Sequence, residues 1–252
     1  MSLDPKVSFL VAGVQKGGTT ALFDYLAEHP GLSLPAIKEA HFFDDELSVD
    51  WRDPDYGRYH ALFGNEDGEP ARLRGEATPI YVYWPGSLER IAAYNPAMRL
   101  ILIFRDPIER AWSHWKMEYA RGAETQPFAW CIREGRGRVA ESPDTPGFHR
   151  EYSYVERGFY GEQVQRVLRL FPRDQVLFLR SEDLRAEPAR ILCKVCDFLN
   201  APRFTHVALK ESHVSKDIDY GALINQADRS YLKKTFSQDQ HIFKEITSIT
   251  FD

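Results

Sequence analysis

Residues Lys6–Leu26 read KVSFLVAGVQKGGTTALFDYL and combine an apolar run, a glycine-rich loop and a helical pattern. The first part, Lys6–Ala12, is a short apolar run of the kind that forms a strand buried on both faces. Residues 21–26 have the apolar spacing of a helix. Between them lies the loop Gly13–Thr20, at the position where strand–loop–helix units bind phosphate groups. The stretch therefore predicts a phosphate-binding loop in an α/β fold.

The loop differs from the common nucleotide-binding pattern G-x-x-x-x-G-K-[ST] in the place of its lysine. Gly13 and Gly18 have the spacing of that pattern, and Thr20 fills its hydroxyl position. Thr19 stands where the lysine belongs, and the lysine lies inside the loop as Lys16. A lysine at that place would lie beside a group being transferred rather than at the end of a triphosphate.

The rest of the chain alternates between apolar strands and amphipathic helices. Strands are predicted at 73–77, 99–104 and 175–179, and helices at 109–121, 154–171 and 189–199, with a capping box at Ser237 and Gln240 opening a last helix. This alternation is typical of parallel sheets that are buried on both faces. We expect an α/β fold, in one domain over residues 1–252, with a central parallel sheet flanked by helices on both faces.

An arginine directly follows the most apolar of these strands. Arg105 comes after RLILIF at 99–104, and ligands of such folds bind at the carboxyl ends of the strands. The planar guanidinium suits a phosphate, and Ser113 can add a hydroxyl from the next helix. The position favours a second phosphate site, with pairing to Asp106 or Glu109 as the alternative.

Six short segments resemble the sulfotransferases that use 3′-phosphoadenosine 5′-phosphosulfate, in the branch that contains heparan sulfate sulfotransferases and bacterial relatives. The segments are GVQKGGTTAL at 13–22, KEAHFFD at 38–44, GEATPIY at 75–81, LIFRDP at 102–107, RGFY at 157–160 and LRSEDL at 179–184. In the third segment, Ala77 replaces a lysine that the heparan enzymes tend to carry. The resemblance implies a P-loop-type domain that moves a sulfuryl group to a hydroxyl, or an amine, of a glycan, lipid or natural product.

The resemblance also implies a role for each matching residue. Lys16 would bind the donor and act in catalysis by stabilising charge on the oxygen between sulfur and the 5′-phosphate. The 5′-phosphate would be held by Gly17, Gly18, Thr19 and Thr20. The 3′-phosphate would be held by Arg105 and Ser113. Further donor contacts are expected from Arg157, Tyr160 and Lys216.

A hydroxyl that attacks sulfur must lose its proton, so a base must lie near it. Glu39 matches the glutamate that takes this role in the resembling branch, and the other candidates are His41, Glu76 and His213. For His41, a purely structural hydrogen-bonding role is equally open. The acidic run Asp44–Glu46 is expected to be a solvated face rather than a metal site, because no histidine spacing completes a ligand set.

Composition limits the remaining function classes. With 37 acidic and 32 basic residues the net charge is −5, which argues against a general nucleic-acid binder. No apolar run approaches the roughly 20 residues of a membrane span. An odd count of three cysteines is no disulfide framework, so we expect a cytoplasmic protein. Its partner would be a small-molecule or oligosaccharide acceptor; a P-loop kinase and a catalytically silent nucleotide-binding module are the alternative functions.

Overall fold

The computed structural model describes residues 6–63, 72–207 and 224–251, and these divide into two compact units. The first unit extends to Phe104 and resumes at Arg166. The second unit contains Arg105–Gln165 and the C-terminal helix. The single domain expected over residues 1–252 stays a prediction.

Among the described residues of the first unit, five parallel strands form one sheet, in the order β2-β3-β1-β4-β5. Their bounds are β1 Phe9–Gly13, β2 Leu32–Ser33, β3 Leu73–Ala77, β4 Arg99–Phe104 and β5 Val176–Arg180. The bounds of β3 and β4 are those predicted from the sequence, whereas β1 and β5 begin later than predicted. The expected α/β fold with a central parallel sheet is confirmed.

The helices among the described residues are α1 Thr19–Ala27, α2 Gly57–His60, α3 Ser87–Tyr94, α4 Pro107–Ala120, α5 Phe128–Cys131, α6 Gly137–Ala140, α7 Tyr160–Leu170, α8 Ser181–Ala186, α9 Pro188–Leu199 and α10 Gln226–Thr247. Short 3₁₀ turns occur at 61–63, 134–136, 156–158 and 173–175. None of the helices in the described part of the chain is long and apolar enough to cross a membrane.

The core of the first unit fixes the sheet. On one face, Phe9 and Val11 of β1 pack in a cluster with Leu22 of α1 and Leu192 of α9. Leu10, between them in β1, is also 0% exposed, so the sheet is buried on both faces as parallel sheets are. Burial of each such side chain stabilises the fold by about 1.5–3 kcal/mol. The carboxyl ends of the strands therefore lie on a rigid frame.

The second unit has its own apolar core around α4. This helix begins at Pro107, and the Asp106 carboxylate caps it by accepting from the N–H of Glu109 over 2.8 Å. Trp112 and Trp115 are stacked with ring centroids 4.9 Å apart. They pack in one cluster with residues of α5 and α10.

Two predicted helix starts are wrong. The helix predicted at 154–171 begins at Tyr160, because residues 156–158 form a separate 3₁₀ turn before it. The capping box at Ser237 and Gln240 lies inside α10, where the Ser237 hydroxyl donates back to the carbonyl of Lys234. The helix is instead capped by Asn225, whose side chain accepts from the N–H of Asp228 over 2.8 Å.

Candidate active site

The loop after β1 lies against the end of β4. The N–H of Val14 donates to the carbonyl of Ile103 over 3.0 Å, and the N–H of Gly17 donates to the carbonyl of Val14 over 2.9 Å. A Cβ at Gly17 would lie 2.3 Å from the carbonyl oxygen of Ile103, so a side chain cannot fit there without moving the backbone. The loop is thus held at the carboxyl end of a central strand, where parallel sheets bind ligands.

Helix α1 starts from this loop without a side-chain cap. Gly18, its N-cap, has a φ of 103°, a conformation that glycine adopts easily and other residues rarely do. The first N–H groups of a helix have no partner within the helix and carry partial positive charge. Thr19 is buried and Thr20 is exposed at this helix start. The loop and helix together are suited to binding an anion.

Three predicted site residues have backbone conformations that residues other than glycine rarely adopt. Lys16, Glu39 and His41 have φ angles of 65°, 67° and 51°. Among the described non-glycine residues, the other positive φ angles are at Asn200 and Ser248, which cap the ends of α9 and α10 as such residues often do. The three site residues cap no helix, and strained backbone of this kind clusters at functional sites.

The segment 38–44 forms a row of alternating charges. Oε2 of Glu39 lies 3.4 Å from Nε2 of His41, and Nδ1 of His41 lies 2.9 Å from Oδ2 of Asp44. The ammonium group of Lys38 bonds the other carboxylate oxygen of Glu39. The structure therefore brings together two of the predicted catalytic residues, Glu39 and His41, and places a cation and a carboxylate at the two ends of the row.

These contacts shift the pKa values of both central residues. Burial acts to raise the pKa of Glu39, but hydrogen bonds from His41 and Lys38 outweigh burial and lower that pKa to about 2. Hydrogen bonds to Asp44 and Glu39 raise the pKa of His41 to about 9, against the opposing effect of burial. At neutral pH, Glu39 is therefore a carboxylate and His41 an imidazolium.

Asp44 is a site residue that the sequence pattern misses. The expected solvated face at Asp44–Glu46 is wrong at its first residue, since the side chain of Asp44 is 1% exposed and bonds His41. Glu46 is also engaged, because its carboxylate accepts from Arg90 and from the indole of Trp84. The sequence did contain a signal for this contact. His41 lies three residues before Asp44, and a short turn brings residues at that spacing into contact.

Glu76, another candidate base, lies inside β3 with 0% exposure. The Thr78 hydroxyl donates to its Oε2 over 2.7 Å, and the Tyr59 hydroxyl donates to its Oε1 over 3.3 Å. Burial raises the pKa of Glu76 to about 7. An acceptor must reach its base, so this burial favours Glu39 over Glu76.

In the second unit, the predicted 3′-phosphate residues lie at the start of α4. The guanidinium of Arg105 is 3.6 Å from the carboxylate of Glu109, so the alternative pairing considered for Arg105 is present. Ser113 is half-buried on α4. The buried Tyr160 hydrogen-bonds the backbone of Arg105. The phosphate-binding role of Arg105 and Ser113 and the donor contact of Tyr160 stay predictions.

Arg157 is placed for a structural contact. Its guanidinium is buried and donates to the carbonyls of His149 and Arg150 over 3.3 and 2.6 Å. The donor contact that the resemblance implies for Arg157 stays a prediction. Lys216 and His213, the candidates from the C-terminal part of the chain, lie outside the described residues.

Known proteins resemble this chain, some in sequence and some in fold. Heparan sulfate glucosamine 3-O-sulfotransferase 3B1 of Mus musculus is 32% identical over 199 residues, covering 77% of this chain and 46% of the relative. The chain spans about half the length of the curated relatives it matches. The crystal structure of a sulfotransferase from Alicyclobacillus acidocaldarius has a TM-score of 0.78 at 24% identity and covers 98% of both chains.

A mouse sulfotransferase complexed with PAP has a TM-score of 0.53 at 14% identity, over 98% of this chain and 90% of that one. These two structures show a shared fold. A family model described as the sulfotransferase domain matches residues 6–239, which include the loop at 13–20 and the segment at 38–44. The chain therefore belongs to the sulfotransferase domain family.

Proposed function

We propose that this chain is a sulfotransferase that moves a sulfuryl group from 3′-phosphoadenosine 5′-phosphosulfate to a hydroxyl, or an amine, of a glycan, lipid or natural product. One relationship carries the proposal. The N–H of Glu39 donates to the carbonyl of Ala77, the last residue of β3, and Ala77 pairs with Val11 of β1, just before the loop that contains Lys16. The candidate base is thus held at the carboxyl end of β3, and the neighbouring strand β1 leads into the anion-binding loop.

The donor supplies an activated sulfur atom joined through oxygen to a 5′-phosphate. The backbone of Gly17 and Gly18 and the start of α1 would hold that phosphate, because they present N–H groups to an anion. Lys16 would stabilise the negative charge that develops on the bridging oxygen as its bond to sulfur breaks. Arg105 and Ser113 would bind the 3′-phosphate.

Glu39 would accept the proton of the attacking hydroxyl as the new sulfur–oxygen bond forms. The leaving group is 3′-phosphoadenosine 5′-phosphate, and the acceptor proton ends on the Glu39 carboxylate. A carboxylate with a pKa of about 2 is ready to accept a proton but is a weak base. An acceptor that covers Glu39 would remove it from water, and burial raises the pKa of a carboxylate.

A single-turnover assay with sulfur-labelled donor tests the proposal. We expect label to pass to an added acceptor, and transfer to continue in the presence of a chelator, because the sulfuryl group carries less charge than a phosphoryl group. A P-loop kinase would instead transfer phosphate from a nucleoside triphosphate with strict dependence on magnesium. A silent nucleotide-binding module would bind the donor and release it unchanged.

We also propose a cytoplasmic location and a small-molecule or oligosaccharide partner. The three cysteines, Cys131, Cys193 and Cys196, are all free thiols. Cys131 donates to the carboxylate of Glu124 over 3.2 Å in a buried position, which a reducing compartment would preserve. Cell fractionation of the natural source with an antibody against this chain would test the location.

A further inference from the structure

Glu76 is a buried carboxylate that no step of the proposed function uses. It lies in β3 opposite Leu10 of β1 and is 0% exposed. Buried carboxylates are rare unless their oxygens are hydrogen-bonded. Here the partners are hydroxyl groups: Thr78 and Tyr59 donate over 2.7 and 3.3 Å, and the hydroxyl of Tyr81 also hydrogen-bonds Glu76.

Two of these hydroxyls also hold the segment that carries the candidate base. The Tyr81 oxygen accepts from the N–H groups of Phe42 and Phe43 over 3.0 and 3.4 Å. The Thr78 oxygen accepts from the N–H of His41 over 3.5 Å. Glu76 is therefore connected to three consecutive backbone N–H groups, to that of His41 through Thr78 and to those of Phe42 and Phe43 through Tyr81.

The direction of these hydrogen bonds depends on Glu76. A hydroxyl has one hydrogen, so a hydroxyl that donates to the carboxylate keeps only its lone pairs for other partners. Those lone pairs are what the backbone N–H groups of His41 and Phe42 need. An ionised Glu76 accepts from both Thr78 and Tyr81 and thereby turns both oxygens toward the backbone as acceptors.

We infer that Glu76 is a positioning residue that orients Thr78 and Tyr81 so that their oxygens hold His41–Phe43, and with them the contact between Glu39 and His41. The inference rests on the proposed function and deepens it. Glu39 and His41 both have positive φ angles, which persist only where surrounding contacts fix them. The hydroxyls of Thr78 and Tyr81, which hydrogen-bond Glu76, supply such contacts.

The protonation of Glu76 bears on the same network. Burial raises its pKa to about 7, the hydrogen bonds from Thr78, Tyr81 and Tyr59 oppose this effect, and the charge of Asp44 adds to it. Tyr59 and Tyr81 have pKa values raised well above their ordinary range by burial and stay neutral. A protonated Glu76 would donate its own proton to one of its hydroxyl partners. That hydroxyl would use a lone pair to accept this hydrogen bond, and the lone pair would no longer be available to a backbone N–H group.

The test compares Glu76→Gln with Tyr59→Phe. Glu76→Gln keeps the shape but adds two amide hydrogens, so it disrupts the hydroxyl directions. The Tyr59 hydroxyl also donates to Glu76, but it makes no hydrogen bond to His41–Phe43. Tyr59→Phe removes this hydroxyl and keeps the ring stacked on Phe42. We expect a large fall in kcat for Glu76→Gln and a much smaller one for Tyr59→Phe, with binding of 3′-phosphoadenosine 5′-phosphate unchanged in both.

A second readout does not need turnover. The imidazole pKa of His41, measured by NMR and assigned with His41→Gln, should fall from about 9 toward 6.5 in Glu76→Gln, because the partners of His41 would no longer be aligned. An unchanged His41 pKa together with unchanged kcat would overturn the inference. If the unmutated protein transfers no sulfuryl group, the proposed function fails, yet the His41 titration still decides the role of Glu76.

A second pair of variants covers the case in which Glu76→Gln does not fold. Thr78→Ser keeps the hydroxyl that donates to Glu76 and accepts from His41, whereas Thr78→Val removes it at similar volume. We expect Thr78→Val to lower the His41 pKa and Thr78→Ser to restore it. Equal His41 pKa values in the two variants would contradict the inference.

Discussion

The hydroxyl of Tyr160 donates a hydrogen bond to the carbonyl oxygen of Arg105 over 2.9 Å. Tyr160 is 0% exposed, so it holds the backbone of the residue that follows β4 without reaching solvent itself. The Arg105 side chain is 29% exposed and lies 3.6 Å from Glu109, whose carboxylate is also bonded by Arg229 over 2.7 Å. Arg105 thus combines a fixed backbone with a long ion pair that a phosphate could replace.

Arg105→Ala should weaken binding of a 3′-phosphorylated adenine nucleotide and barely change binding of the same nucleotide without that phosphate. A hydrogen bond to a charged group contributes about 1.5–3 kcal/mol, which corresponds to a loss of roughly 10- to 150-fold in affinity. Isothermal titration calorimetry with 3′-phosphoadenosine 5′-phosphate and adenosine 5′-phosphate checks this. Arg121→Ala, on a 63% exposed side chain after α4, is the control. Equal losses for both nucleotides would contradict the assignment.

Much of the fold could be predicted because its signals are local. The apolar run at 99–104 and the loop at 13–20 are continuous in sequence, and both are found where they were expected. What the sequence pattern misses also joins near neighbours in the chain: Asp44 bonds His41, and Asn225 rather than Ser237 caps α10. Each such contact needs a turn or a helix start at that point, and several points in the sequence offer one, so the pattern alone does not select among them.

Lys16→Ala should lower turnover on the order of 10²- to 10³-fold while the fold is retained, because a preorganised cation at the breaking bond is lost. Lys194→Ala, an exposed lysine on α9, removes the same charge elsewhere in the first unit and should leave turnover unchanged. Initial rates of labelled-product formation and circular dichroism of both variants supply the comparison. If the two variants have similar rates, Lys16 has no catalytic role.

Gly17→Ala should destabilise the protein and abolish donor binding, since its Cβ would lie 2.3 Å from the carbonyl oxygen of Ile103. The matched control is Gly137→Ala in α6, where a Cβ meets nothing within 4 Å. Alanine at such a helical position stabilises by about 0.4–1 kcal/mol. Urea unfolding of the two variants should therefore give changes of opposite sign. A stable Gly17→Ala with normal donor binding would show that the loop can move away from β4.

His41 should make stability depend on pH in a defined window. Its pKa is raised from 6.5 to about 9 by its carboxylate partners, so the stabilisation is fully present below pH 6.5 and is lost as the pH rises through 9. The free energy of unfolding should fall between these two pH values by more in the unmutated protein than in His41→Gln. Parallel curves for the two proteins would mean that His41 is not held as a cation. Asp44→Asn should lower the His41 pKa, as NMR titration would show.

Glu39→Gln should lower kcat strongly and leave binding of 3′-phosphoadenosine 5′-phosphate unchanged. Glutamine keeps the shape of the side chain and can still meet His41 and Lys38, but it cannot accept the acceptor's proton. Glu89→Gln, an exposed position on α3, makes the same chemical change outside the site and should have no effect.

The pH profile of Glu39→Gln separates a base from a residue that only holds its neighbours. If Glu39 is the base, Glu39→Gln lacks the base at every pH. Its residual rate should therefore stay low across the whole pH range in which the protein is folded. If Glu39 only fixes the charge of His41, its replacement lowers the His41 pKa from about 9, and activity would recover at low pH, where His41 is again protonated. Recovery of that kind would show that Glu39 acts by keeping His41 protonated and is not the base. Loss of activity in His41→Ala but not in Glu39→Gln would move the role of base to the histidine.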